Sequence, residues 1–178
     1  HKRDIILWVG RSVSFKQPGR FVELAKRFEN EKFVMICQRA TGDDDYDSLK
    51  QAAREVGNLE FIERVGFAEI DDYFKRAKIF VNTSDSEGFP NTFIQAAKAG
   101  AAIVSYSVNP DDFLGEYNCG VDCMGDMEKV AKAVRFLLDE DKYREIGLNG
   151  RKYAEANHNI AVLIDEYKRI FREIVNKY

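Results

Sequence analysis

An apolar run, KIFVNTS, leads into SDSEGFPNTFIQAAKAG (residues 84–100), and a carboxylate, Glu87, stands where strand-like sequence gives way to helix-like sequence. Pro90 suits the first position of that helix and Gly100 the position just past its end. The N–H groups of Asn91 and Thr92 then lack intrahelical acceptors and are open to oxygens from outside. A helix start favours external anions, so a carboxylate there has two readings. It caps its own helix, or it accepts hydrogen bonds from the hydroxyls of a ligand whose phosphates lie on the N–H groups. Gln95 follows Glu87 by eight positions, just over two helical turns, so both side chains can address one elongated ligand.

A second set of groups lies in VGRSVSFKQPGR (residues 9–20), where Gly10 closes an apolar run and Arg11 and Lys16 precede a helix start at Pro18-Gly19. The spacing is neither G-x-G-x-x-G nor G-x-x-x-x-G-K-[ST]. Two cations beside a helix start suit a phosphate or diphosphate, Arg as a fork and Lys as a point charge; the other reading is two solvated surface cations. Gly66, in RVGFAEI, lets a backbone approach a flat ligand, or is a plain turn glycine. The acids 43–45 look like a D-x-D metal motif, but they follow Thr41-Gly42 and start a helix, where acids serve as caps. Asn109-Pro110 reads as the start of a turn. Cys37, Cys119 and Cys123 are odd in number and read as free thiols in a reducing compartment. Cys119 and Cys123 are spaced like half a metal site, yet His1 and His158 are the only histidines, so all three cysteines read as small buried hydrophobes and no metal is expected.

The elements that must position these groups alternate in type. Apolar runs at 5–10, 33–38, 59–65, 79–84 and 102–108, with a sixth at 120–124, are expected strands. Between them, 19–30, 43–56, 69–77 and 91–99 carry helical spacing, as Phe21, Val22, Ala25 and Phe28 illustrate. Near-continuous apolar strands separated by helices imply βαβ units and a parallel sheet covered on both faces. After residue 126 the pattern is all helical, with helices expected over 126–138, 141–156 and 160–178. The last carries Ile160, Leu163, Ile164, Tyr167, Ile170, Phe171 and Ile174 on one stripe, which must pack on this sheet or on a neighbouring domain. One Rossmann-like α/β domain over residues 1–178 is expected, with ligands outside the carboxyl ends of its strands.

A net charge of −3 gives no reason to expect nucleic acid or an anionic membrane as partner. No run of about 18 apolar residues marks a transmembrane helix, and HKRDIILWVG does not read as a signal peptide. A first residue His1, with a strand already at Ile5, suggests a piece of a longer chain.

In these motifs the chain resembles the C-terminal, nucleotide-sugar-binding domain of GT-B glycosyltransferases, in particular the retaining enzymes of family 4 (glycosyl transferase group 1). VGRSVSFKQPGRFVELAKRF is similar to that family's opening strand, Gly-Arg, Lys and first helix. FAEIDDYFKRAKIFVNTSDSEGFPNTFIQAAKAGAAIV is similar to its central segment, and GVDCMGDMEKVAKAVRFLLDEDKYREIGLNGRKYAE to its helical close. The resemblance implies one half of a GT-B fold and transfer of a sugar from a nucleoside-diphosphate donor with retention, without a metal or cofactor. Glu87, Arg11 and Lys16 would carry the chemistry. Gly88, Phe89 and Pro90 would meet the donor sugar, Gly10 and the N–H groups of Asn91 and Thr92 the diphosphate, and Gly66 and Phe67 the base. The second Glu of the family pattern, which holds the ribose, is here Gln95. It further implies an N-terminal acceptor-binding domain outside this chain, a glycan or lipid-linked acceptor, a cytoplasmic location with contact to the membrane through that domain, and no turnover by this chain alone. The competing readings are a sugar-nucleotide epimerase of the same architecture, a receiver-like signalling module and half of a NAD-dependent dehydrogenase. The receiver is disfavoured because cations stand at the first strand exit where it needs carboxylates, and the dehydrogenase because the glycine fingerprint is missing.

Overall fold

In β1 (Ile5–Arg11) successive side chains point to opposite faces, and each finds its own core: Ile6 and Trp8 on one side, Ile5 and Leu7 on the other. The computed structural model describes residues 2–175, apart from the side chains of 160–163 and 166. Five further strands, β2 (Lys32–Gln38), β3 (Leu59–Ile62), β4 (Ala77–Asn82), β5 (Ala102–Ser105) and β6 (Gly120–Asp122), complete a parallel sheet of order β3-β2-β1-β4-β5-β6. Helices α1 (Pro18–Ala25), α2 (Tyr46–Arg54) and α6 (Met127–Leu138) bury residues in the core that holds Trp8. The opposite core receives α3 (Ile70–Arg76), α4 (Asn91–Ala99), the short α5 (Phe113–Glu116) and Tyr153 of α7 (Tyr143–Asn157). This is the expected α/β fold with both faces of the sheet covered. The winding reverses between β1 and β4, and in such a sheet the reversal opens a crevice at the carboxyl ends.

Most boundaries differ from the expected ones by a few residues, for local reasons. Helix α1 ends at Ala25 because the N–H groups of Arg27 and Phe28 bond three residues back rather than four, tightening the last turn; Phe28 still reaches the core. Strand β5 stops at Ser105, whose hydroxyl accepts the Val108 N–H and turns the chain. Pro90 is the residue before α4 rather than its first, with extended backbone, whereas Gly100 does close that helix at φ 73°. The acids 43–45 do not cap α2: Asp45 has helical backbone and makes no cap bond, while Asp43 accepts the Asp45 N–H in a turn. Asp126 does cap α6, accepting from the N–H groups of Glu128 and Lys129.

The last helix, α8 (Ile160–Val175), exposes Ile164, Tyr167, Ile170, Phe171 and Ile174, so that part of its stripe does not cover this sheet. The side chains of Ile160 and Leu163 and the expected end at Tyr178 lie outside the described residues. No helix among the described residues is long and apolar enough to cross a membrane. The three cysteines are free and buried, and burial pushes each thiol up to about 12.

Helix α7 approaches the end of α4 so closely that a Cβ on Gly147 would stand 2.1 Å from the Gly100 carbonyl oxygen. Arg3 reinforces the same corner by donating to the carbonyls of Ala77 and Ala99, at the ends of α3 and α4. Gly→Ala in an open helix stabilises by about 1 kcal/mol. Here Gly147→Ala should instead destabilise by about 1–3 kcal/mol, the usual cost of overpacking, as read by urea denaturation. A gain in stability would show that the two helices do not meet at this distance.

Candidate functional site

The loop after β1 is pinned to the loop after β4. Gly10 leaves room for the Trp8 ring and the Lys16 stem; a Cβ there would lie 2.8 Å from the ring and 3.0 Å from Lys16 Cδ. Trp8 Nε1 donates to Thr83 Oγ1 at 2.9 Å, and the Thr83 hydroxyl donates to the Lys16 carbonyl at 2.7 Å. The Asp85 N–H donates to the Phe15 carbonyl, and Arg20 donates to both the Thr83 carbonyl and the Asp85 carboxylate. A single 3-10 turn at Ser14–Lys16 thereby carries Lys16 back over the seam between β1 and β4.

Lys16 Nζ meets Glu87 Oε2 at 2.7 Å, with both side chains less than one-fifth exposed. The other carboxylate oxygen, Oε1, accepts from the Ser84 hydroxyl at 2.6 Å and from Asn82 Nδ2 at 2.9 Å. Burial alone would raise the Glu87 carboxyl. Hydrogen bonds from Lys16, Ser84 and Asn82, with the charge of Lys16, outweigh it and hold Glu87 below the ordinary range. Glu87 therefore does not cap α4: among the described residues no side chain caps that helix, and the N–H groups of Asn91 and Thr92 remain without intrahelical acceptors.

A cavity of about 540 Å³ opens beside this pair. Gly10, Arg11, Lys16, Gly66, Phe67, Glu87, Pro90, Asn91, Thr92 and Gln95, all singled out from the sequence, line it together. Gly88 and Phe89 do not. Phe89 instead turns its ring into an aromatic cluster, 5.3 Å from Phe113, 6.4 Å from Phe93 and 6.3 Å from His158. The Gly66 N–H is engaged by Glu69 at 3.1 Å, and Phe67 stands 94% exposed at the lip. Among the described residues, Arg11 lacks an ion pair and the Gln95 amide a hydrogen-bond partner.

Sequence reasoning missed Arg64 and Gln38, which also line the cavity, and Asn82 and Ser84 behind Glu87. Arg64 had a signal, a cation two residues before the glycine of the third strand exit. Gln38 ends β2 directly opposite Arg11, which register alone reveals. The arrangement offers cations and free N–H groups to phosphates and, beside them, a fixed carboxylate to hydroxyls.

The family model of the glycosyl transferases group 1 matches residues 3–140. An uncharacterized glycosyltransferase of Methanocaldococcus jannaschii is 26% identical over 162 residues, covering 88% of this chain and 41% of that protein. The GalNAc-alpha-(1->4)-GalNAc-alpha-(1->3)-diNAcBac-PP-undecaprenol alpha-1,4-N-acetyl-D-galactosaminyltransferase of Campylobacter jejuni is 23% identical, covering 98% of this chain and 50% of its own. The chain thus spans half or less of the curated relatives it matches. Among solved structures it is similar to sucrose-phosphate synthase of Thermosynechococcus elongatus, with TM-score 0.82, 18% identity and coverage of 99% of this chain and 46% of the other. The C-terminal domain of a glycosyl transferase group 1 family protein of Francisella tularensis gives TM-score 0.75 and 22% identity, covering 89% and 88%. Anabaena HepE, solved in complex with UDP, gives 0.79 and 14%, covering 96% and 49%. The fold is that of GT-B glycosyltransferase domains.

The depressed Glu87 carboxyl contributes stability that is present above its unfolded value, about 4.5, and lost as pH falls through the lower folded value. Glu87→Gln should cost about 1–3 kcal/mol near neutral pH, and the gap to the unsubstituted chain should close below about pH 4.5. Thermal unfolding across that range measures it; a gap independent of pH would contradict the assignment.

Proposed function

The chain belongs to the glycosyl transferases group 1 family, and on that premise we propose that it is the donor-binding domain of a retaining family 4 glycosyltransferase, moving a hexosyl group from a nucleoside diphosphate to an acceptor. One observation carries the reading: Arg11, Lys16, Glu87 and the uncapped start of α4 converge on a single cavity at the reversal of the sheet. The UDP held by the similar Anabaena protein supports a nucleotide sugar as ligand.

In this reading the diphosphate lies on Arg11, Lys16 and the N–H groups of Asn91 and Thr92. As the bond between sugar and phosphate breaks, negative charge grows on the leaving phosphate, and these donors stabilise it. Glu87 accepts from sugar hydroxyls. The carbonyl oxygen of Gln95 takes a ribose hydroxyl without adding charge, and the base lies between Gly66, Phe67 and the apolar wall of Val9, Ile36 and Ile70. The donor is the only small molecule required; neither metal nor cofactor enters. The acceptor, a glycan or a lipid-linked sugar, is held by an N-terminal domain facing the carboxyl ends of the strands. The reaction runs in the cytoplasm, that domain touches the membrane, and this chain alone binds donor without turning it over.

Calorimetric titration with UDP, GDP and ADP tests the reading. At least one should bind, and Arg11→Ala should weaken it by about 1.5–3 kcal/mol, the range for hydrogen bonds to charged groups. Failure of the folded chain to bind any of the three would overturn it.

A further inference from the structure

We propose that Ser84 and Asn82 are positioning residues that hold Glu87 by Oε1 alone, so that Oε2 is free for a donor-sugar hydroxyl once Lys16 turns to the diphosphate. The inference rests on the donor-binding reading and adds to it how the carboxylate survives the loss of its cation.

The geometry divides the partners of Glu87 into two kinds. Lys16 reaches Oε2 from the 3-10 turn after β1, on a long stem with several rotatable bonds. Asn82 and Ser84 reach Oε1 from the end of β4 and the residues just after it, and both are buried, 4% and 2% exposed. Asn82 sits in the sheet, its carbonyl accepting the Tyr106 N–H at 2.8 Å. Its amide orientation is set, because Oδ1 accepts the Ser84 N–H at 3.0 Å and Nδ2 must therefore face the carboxylate. Oε1 thus has two neutral donors, while among the described residues Oε2 has only the cation.

A diphosphate arriving beside Lys16 offers that ammonium more charge than one carboxylate does. When Lys16 moves, a half-buried carboxylate with no other partner would take up a proton or swing out of place. Two neutral donors avert both outcomes. They stabilise the anion without neutralising it, so its remaining lone pairs can accept from a hydroxyl.

The test uses the whole chain with Ser84→Ala, which removes one donor, and Asn82→Asp, which keeps the acceptor for the Ser84 N–H but turns an acceptor on Oε1. Each is titrated with UDP, GDP and ADP and with UDP-glucose, GDP-mannose and ADP-glucose. The free diphosphate should bind within about twofold of the unsubstituted chain. The matching sugar conjugate should weaken about tenfold or more in each variant, the effect of one hydrogen bond to a charged group. In the diphosphate complex, the Glu87 carboxyl carbon followed by NMR should titrate below the ordinary Glu range in the unsubstituted chain and higher in both variants. Equal losses for diphosphate and conjugate, no loss for either, or an unmoved Glu87 titration would overturn the positioning role and leave donor binding standing. An unsubstituted chain that binds no diphosphate and no conjugate would overturn both.

Discussion

The salt bridge of Lys16 to Glu87 joins the exits of β1 and β4, the two strands between which the sheet reverses, at the wall of the cavity. Taking two charges out of water costs more than their attraction returns unless other hydrogen bonds complete the set. Here Ser84 and Asn82 complete it at the acid, while Trp8 and the bare Cα of Gly10 flank the lysine stem. A change at Thr83, which never touches the cavity, would reach it through the Lys16 carbonyl. Loop and strand end act as one unit.

The cavity and the layer behind it are built from different material. Arg11 and Arg64 stand on the cavity wall, and among the described residues no side chain caps the α4 N–H groups. Behind the 87–90 turn, Phe89, Phe93, Phe113, Tyr153 and His158 form a packed aromatic layer. Burial first, and then the charge of Lys98, lower His158 below its ordinary value, so it enters that layer as a neutral ring at neutral pH.

Much of this was legible in the sequence, and the limits are physical. Alternating apolar runs and helical periods gave the sheet, its covering helices and the bounds of α4, because a strand buried on both faces has little freedom of composition. Strand exits pointed to Gly10, Arg11, Lys16 and Glu87, since ligands of such sheets bind there. That Lys16 faces Glu87 was not legible: it follows from the adjacency of β1 and β4, 71 residues apart at the contact. That Phe89 stands apart from the cavity was not legible for a related reason. Its position in the chain put it two residues from Glu87, but its ring meets Phe113 and His158 instead of the cavity. Local hydrogen-bond choices, as at Ser105 and Asp45, decided the rest.

The buried thiols have a practical corollary. With values near 12, Cys37, Cys119 and Cys123 hold roughly one thiolate in ten thousand at pH ~8, and none faces solvent. An alkylating reagent therefore reacts only with molecules that have opened. Cys37 lies on β2, and Cys119 and Cys123 flank β6, so modification mapped by mass is a separate clock for the interior and for the edge of the sheet. A saturating ligand in the crevice would slow the interior clock more than the edge one.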